Sequence, residues 1–369
     1  MKKKVVLSIF IILISFLQNS CGSKRISKKI IVASSGKIES LDPARANTLK
    51  AIQLISSLGD TLYELNSDGE LIPQLASGMP VISKDRLQIT INLRKNVFFH
   101  DGTAFNSNAM KFTFDRFKRI GTMNYILGNK IKSIETPSEY SVIINLNKPS
   151  SSLNGLLTSV NLTPISPTFY KQYSDKFLNE KFVGTGKYVL TSFSNEVQSI
   201  DPYLNYWGEK PLNNGVNFVG YSNSSSLFGA LKSKQIDVLL SNSIDDSQRK
   251  SLNNLSKNKQ FNEGNSPFTE LSFISLKTSS YPLSNLNLRL ALAKSLNRKL
   301  ISEKVSYGLR KPSRSIIPPI LKKDNQELWP KYDYLEARRL LQKENYCNGN
   351  ILKIPLTYRS NVPADKLIA

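Results

Sequence analysis

The chain is poor in the residues on which most enzymes depend. A single histidine, His100, stands among 369 residues, and the only cysteines are Cys21 and Cys347. One histidine removes most nucleophilic triads and histidine-rich zinc sites, and neither a Gly-x-Ser-x-Gly elbow nor a His-Glu-x-x-His pattern occurs. With two cysteines there is no disulfide framework; if one is modified, the other is a lone thiol. Acidic residues are also scarce, 28 against 50 Lys plus Arg, and they are scattered, which disfavours the paired carboxylates of glycoside hydrolysis. No catalytic residues are therefore assigned, and no metal or cofactor is expected.

Long apolar runs are missing too. The longest, Val5 to Leu17, falls short of the roughly 20 residues needed to span a bilayer. It follows Lys2, Lys3 and Lys4 and precedes Asn19, Ser20 and Cys21, which reads as a secretory signal ending at a cysteine that receives lipid. Gln18 stands where such signals carry an aliphatic residue. Cys21 is the expected lipidation site, and two or three acyl chains would hold the protein firmly at a membrane surface, where one would not.

What is abundant is positive charge. The formal net charge is +22, but Lys and Arg are spread along the chain, and no zinc-finger or aromatic RNA-binding signature accompanies them. The surplus reads as a solvated basic surface, and no nucleic-acid partner is expected. The 40% hydrophobic content and the chain length support a globular protein of more than one domain, since single cores stop growing near ~250–300 residues.

Strand and helix signals alternate. Ile30 to Ser34 is a short apolar strand leading to Leu41-Asp42-Pro43, where proline biases Asp42 to an extended backbone. Leu49, Ile52 and Leu58 repeat at helical spacing, and Leu87, Ile89, Ile91 and Leu93 alternate with polar residues as a half-buried strand should. Phe98-Phe99-His100-Asp101-Gly102 predicts a tight turn, with His100 a hairpin residue because a metal site would need partners the chain lacks. Ser107 or Asn108 is positioned to cap a helix bearing Ala109, Phe112, Phe117 and Ile120. Leu271 to Leu276 reads as an apolar strand, and Asp333-x-x-Glu336 as a capping box ahead of Leu335, Leu340 and Leu341.

The order of several motifs carries more than any one of them. Leu41-Asp42-Pro43, Leu71-Ile72-Pro73-Gln74-Leu75-Ala76 and Leu93 to Thr103 are followed by Gly184-Thr185-Gly186-Lys187-Tyr188 and Tyr206-Trp207-Gly208. Ile236-Asp237, Arg289 to Arg298 and Ala337 to Leu341 complete the series. In this order the chain resembles the family 5 (peptide/nickel class) extracytoplasmic solute-binding proteins of ABC importers, over nearly everything from Ile30 to Ile368. It departs from the pattern at Lys187, where the family has proline, and at Asn297, where it has aspartate.

The resemblance implies an α/β fold of the periplasmic-binding-protein type II, two lobes with an extra subdomain inserted in the first. It implies a signal segment over 1–21, lobe I over 22–63 and 165–270, the inserted subdomain over 64–164, and part of lobe II over 271–369, so that the second lobe is expected to be incomplete. It further implies a monomer in the periplasm, anchored through Cys21, that closes around a di- or oligopeptide and hands it to permease subunits, with no chemistry of its own. Nickel complexes, other small solutes and a sensory role are the alternatives, and an extracytoplasmic hydrolase is the competing class. By position, Asn47, Thr48 and Leu49 lie where relatives present lobe-one backbone to the ligand, with Tyr125 as a further cleft aromatic. Tyr206 and Trp207 are expected to serve packing instead, and Arg289 lobe packing or an interface with the permease.

Overall fold

The computed structural model describes residues 28–369 except Ser67, 151–152, 241–242, 265–270, Arg314, 318–328, Asn348 and 359–362. Cys21 and the segment around it lie outside the described residues. The chain gathers into two compact units: one comprises the chain through Tyr221 together with Lys234–Val238, the other Ser222–Ser233 with Leu239–Ala369.

The first unit is built on two larger sheets. β1 (Ile30–Ser35) opens on β-branched residues suited to a pleated, half-buried surface. It is followed by α1 (Leu49–Leu58), which starts at Thr48, whose side chain accepts a hydrogen bond from the Ala51 amide, and buries Ala51, Leu54, Ile55 and Leu58. A short antiparallel pair, β2 (Tyr63–Leu65) and β3 (Leu71–Pro73), precedes β4 (Val81–Ile82) and β5 (Gln88–Asn92). After α2 (Ser107–Ile120) come β6 (Ile131–Ser138) and β7 (Ser141–Leu146), then β8 (Tyr188–Phe193), β9 (Val197–Pro202), β10 (Val216–Tyr221) and β11 (Val238–Leu239).

One sheet has the order β4-β5-β7-β6 and is antiparallel throughout. Its apolar face follows the alternation in the sequence: Ile89 and Ile91 are buried on β5 and stand opposite Ile144 and Val142 on β7. α2 covers that face with Ala109, Met110, Phe114 and Phe117. Its cap is Asn106, one residue before the expected Ser107 and two before Asn108, and its side chain accepts from the Ala109 amide. The buried stripe runs through Phe114 as well as Phe117, while Phe112 packs partly against the neighbouring core.

The other sheet has the order β11-β1-β10-β9-β8, with β1 and β10 parallel and β10, β9 and β8 antiparallel. α1, Ile165, Tyr170, Leu178 and Phe182 pack with Ile200 and Val216 into a second core. Because β1 and β10 run the same way, Ser35 and Tyr221 finish at one end of the sheet, and the chain leaves the first unit at Tyr221.

The second unit is helical among its described residues: α3 (Ser224–Lys232), α4 (Asp246–Lys257), α5 (Leu286–Ser295), α6 (Arg298–Ser306), α7 (Tyr334–Lys343) and α8 (Pro363–Ile368). α4 carries a full capping box between Asp245 and Gln248. At α7 only half of the expected box forms: Asp333 accepts from the Glu336 amide, but the Glu336 carboxylate turns to Arg339 at 2.7 Å. Leu340 is buried and Leu335 faces solvent. The strand expected over Leu271 to Leu276 does not form: this segment has no regular structure, and Phe273 is 68% exposed. Arg289 donates to the carbonyls of Leu283 and Ser284 and so fastens the turn ahead of its own helix.

Candidate functional site

The motifs of the first unit converge on two buried carboxylates. Asp42, fully buried in the Leu41-Asp42-Pro43 turn, accepts both terminal nitrogens of Arg116 on α2 at 2.6 Å each. Arg116 also reaches Asp175 at 3.1 Å and lies over the ring of Tyr170. This two-toothed pairing ties the loop after β1 to α2 with defined geometry. Asn161 completes the hold by donating to the carbonyls of Pro43 and Ala46.

Asp60, just past α1, gathers side chains from three other motifs. Oδ2 accepts from Trp207 Nε1 at 2.9 Å and Thr185 Oγ1 at 3.0 Å, and Oδ1 accepts from Tyr206 OH at 3.1 Å and Gln74 Nε2 at 3.2 Å. Burial pushes the Asp60 carboxyl above its ordinary range, and the donated hydrogen bonds and nearby Lys187 pull it only part of the way back. Arg94 stacks on Trp207 at 4.5 Å from the ring centroid. Tyr206 and Trp207 therefore hold the fold together through hydrogen bonds as well as packing.

The turn at His100 docks on the same region. Asp101-Gly102 makes it, with Gly102 at φ +81°. The His100 amide donates to Gly184 O, and Nε2, which faces the carbonyl of Gly186 at 2.9 Å, must carry the ring proton. Nδ1 is buried without a partner among the described residues, and burial lowers the imidazole pKa to about 4. His100 is a hairpin residue, kept neutral by its surroundings. Gly186 is required here because a Cβ would come 2.4 Å from the Leu58 backbone.

These anchors set out a free edge at the end of the β1–β10 pair. Gly36 turns the chain at φ +78° and donates its amide to Tyr221 O, and pairing resumes only where the Leu41 amide meets Asn179 O. Between them Lys37 to Glu39 have no regular structure, with Ile38 buried and Lys37 and Glu39 exposed, and their amides and carbonyls have no partners among the described residues. Asn47, Thr48 and Leu49 follow the braced turn: Asn47 is exposed, Thr48 caps α1, and Leu49 is 42% exposed. Lys50 brings α1 back to this edge, its ammonium lying over Gly36. Tyr125 is 70% exposed on a short helix beyond α2, after Thr122 has bonded to Ala44 O, and it makes no hydrogen bond, ion pair or ring contact with the other three among the described residues.

Sheet ends of this kind are where open α/β proteins bind ligands, and the comparisons agree with that architecture. Residues 70–369 match the family described as bacterial extracellular solute-binding proteins, family 5. The chain belongs to that family. The glutathione-binding protein GsiB of Escherichia coli O6:K15:H31 is 27% identical over 328 residues, which cover 88% of this chain and 62% of the relative. The chain thus spans about three fifths of the length of such curated relatives. Among solved structures, the periplasmic binding protein DppA of Helicobacter pylori in complex with the peptide STSA superposes with a TM-score of 0.73 at 24% identity, covering 87% of this chain and 67% of that one. NikZ of Campylobacter jejuni, in complex with Ni(L-His), gives 0.68 at 23% identity over 86% of this chain and 63% of that one. The family 5 chain has the type II periplasmic-binding-protein fold, and its relatives are named for binding.

The motif series identified the family, whereas the parts of the edge that matter most carry no motif. Asp60, Lys50 and the unpaired backbone of Lys37 to Glu39 have no signature. The one signal available, Gly36 between a strand and a proline turn, marks a bend without saying what lies beside it.

Proposed function

We propose that this family 5 protein is the extracytoplasmic binding component of an ABC importer, that it takes di- or oligopeptides, and that it delivers them to permease subunits by hinge closure. The observation that carries the peptide reading is the backbone from Lys37 to Glu39, unpaired among the described residues and framed by the Gly36 and Leu41 hydrogen bonds. An extended peptide added there as a strand satisfies those groups through its own main chain, so binding tolerates varied side chains. The peptide complex of DppA and the glutathione-binding relatives support the same chemistry, glutathione being itself a short peptide.

In this reading Asn47, Thr48 and Leu49 line the approach to the edge, and Tyr125 offers an aromatic face beyond it. The protein acts as a monomer held at the outer face of the membrane by lipid on Cys21, and its basic surface suits anionic lipid. Thermal-shift measurements test the solute class, because a ligand that binds only the folded state raises the melting temperature with concentration. Peptide pools should stabilise the protein, and stabilisation by a nickel–histidine complex or an opine with none by peptides overturns the peptide assignment. Radiolabelled palmitate should enter the wild-type protein and not Cys21→Ala; equal labelling of both removes the anchor.

A further inference from the structure

Among the described residues Lys50 is a half-buried charged side chain at this edge with no hydrogen bond or ion pair. Its ammonium lies over Gly36, so close that a Cβ on Gly36 would come 2.7 Å from Nζ. Gly36 thus serves twice: it adopts a left-handed backbone and leaves the space the ammonium occupies. Yet the ammonium makes no hydrogen bond and no ion pair among the described residues, although carboxylates elsewhere in this unit are paired with arginine, as Asp42 is with Arg116. Burial lowers its pKa, with no opposing charge to restore it. Its place is also unfavourable for the helix. Lys50 stands in the first turn of α1, where a cation opposes the macrodipole and where no acidic residue balances it.

A half-buried cation with no partner, set beside unpaired backbone, has its charge available to an anion, and pairing with one offsets the partial loss of water around it. We propose that Lys50 binds a carboxylate of the solute, supplied by an acidic side chain or by the terminal carboxylate, and that the protein therefore prefers anionic peptides. The geometry assigns the two halves of recognition to different groups. The backbone of Lys37 to Glu39 takes the peptide main chain without regard to sequence, and Lys50 reads charge at one place along it. This inference rests on the peptide reading above.

Calorimetric titration of the purified protein with Ala-Ala-Ala, with its glutamate and glutamine substitutions at each position, and with its C-terminal amide distinguishes the sources of the carboxylate. At one position the glutamate peptide should bind roughly ten- to a hundredfold more tightly than its glutamine counterpart, or the amide should lose that factor, as expected for a charge-assisted hydrogen bond. Lys50→Met should close the gap by weakening the peptide that carries the recognised carboxylate while leaving its glutamine or amide counterpart's affinity unchanged and the melting temperature no lower, and Lys50→Arg should keep most of the gap. A gap that survives in Lys50→Met, or a wild-type protein indifferent to every carboxylate while binding the neutral peptides, overturns the role of Lys50 and leaves the peptide reading standing. Failure of every peptide to bind the wild type overturns both.

Discussion

Asp42 and Asp60 are both withdrawn from water, at 0% and 4% exposure, yet they are accommodated by opposite means. Asp42 faces a guanidinium that matches it charge for charge and oxygen for oxygen. Asp60 faces an indole, a phenol, a hydroxyl and an amide, all neutral, and its carboxyl is pushed upward. The first arrangement stores a second buried charge whose fate depends on the aspartate; the second stores only hydrogen-bond donors. The same unit therefore contains one joint that is brittle to loss of a partner and one that is sensitive to pH.

The sharpest way to break the comparison is Asp42→Ala, which strands Arg116 in a buried site. It should cost about 3–5 kcal/mol, the range for removing one partner of a buried ion pair. Urea unfolding measures this, and a loss below ~1 kcal/mol would show that Asp175 and water compensate the guanidinium.

Next in size is a pH effect beside Asp60. His100 has a folded pKa of about 4 against an ordinary value of 6.5. The unfolded chain binds the proton more readily, so stability is full above the ordinary value and falls as pH drops from 6.5 toward 4, by about 2–3 kcal/mol at the low end. His100→Gln should flatten that limb in melting experiments from pH 7 to pH 4; an unchanged slope assigns acid sensitivity elsewhere.

Gly186→Ala probes the turn that both His100 and Thr185 depend on. Its Cβ would meet backbone atoms of Leu58 and Gly59, so about 1–3 kcal/mol should be lost by overpacking. A neutral result in chemical unfolding means that the turn can open without disturbing Asp60.

The smallest effect separates Asp60 from Asp42 most cleanly. Asp60→Asn retains one acceptor oxygen and should cost about 1–2 kcal/mol at neutral pH. Since the folded carboxyl holds its proton more strongly than the unfolded one, wild-type stability has a component that falls as pH rises from about 4 through the raised value. That component has the opposite sign to the His100 effect and should vanish in Asp60→Asn. Identical slopes for wild type and variant would mean that the four donors fully offset burial.

The two sheets differ in how far sequence reveals them. The β4-β5-β7-β6 core draws on neighbouring segments, and the alternation of Ile89 and Ile91 marks its buried face directly. The core beneath β1 and β10 joins residues from Ile38 to Val216, and no local pattern predicts that Leu58 should touch Gly186. Leu271 to Leu276 shows the opposite failure: an apolar run suggested a strand, but among the described residues the segment pairs with none and is irregular. At the edge, Thr48 was legible as part of a candidate stretch, while Lys50 two residues along looked like any surface lysine.

Sequence alone determined the family, through the order of its motifs, and the strands and turns whose period or dipeptide chemistry is local. Tertiary structure alone decided that Gln74, Thr185, Tyr206 and Trp207 meet at Asp60, that Arg116 reaches Asp42, and that Lys50 lies over Gly36 beside unpaired backbone. The reason is range: hydrogen bonds and ion pairs require atoms placed to within about an ångström, and for residues far apart in the chain only the packed fold supplies that placement.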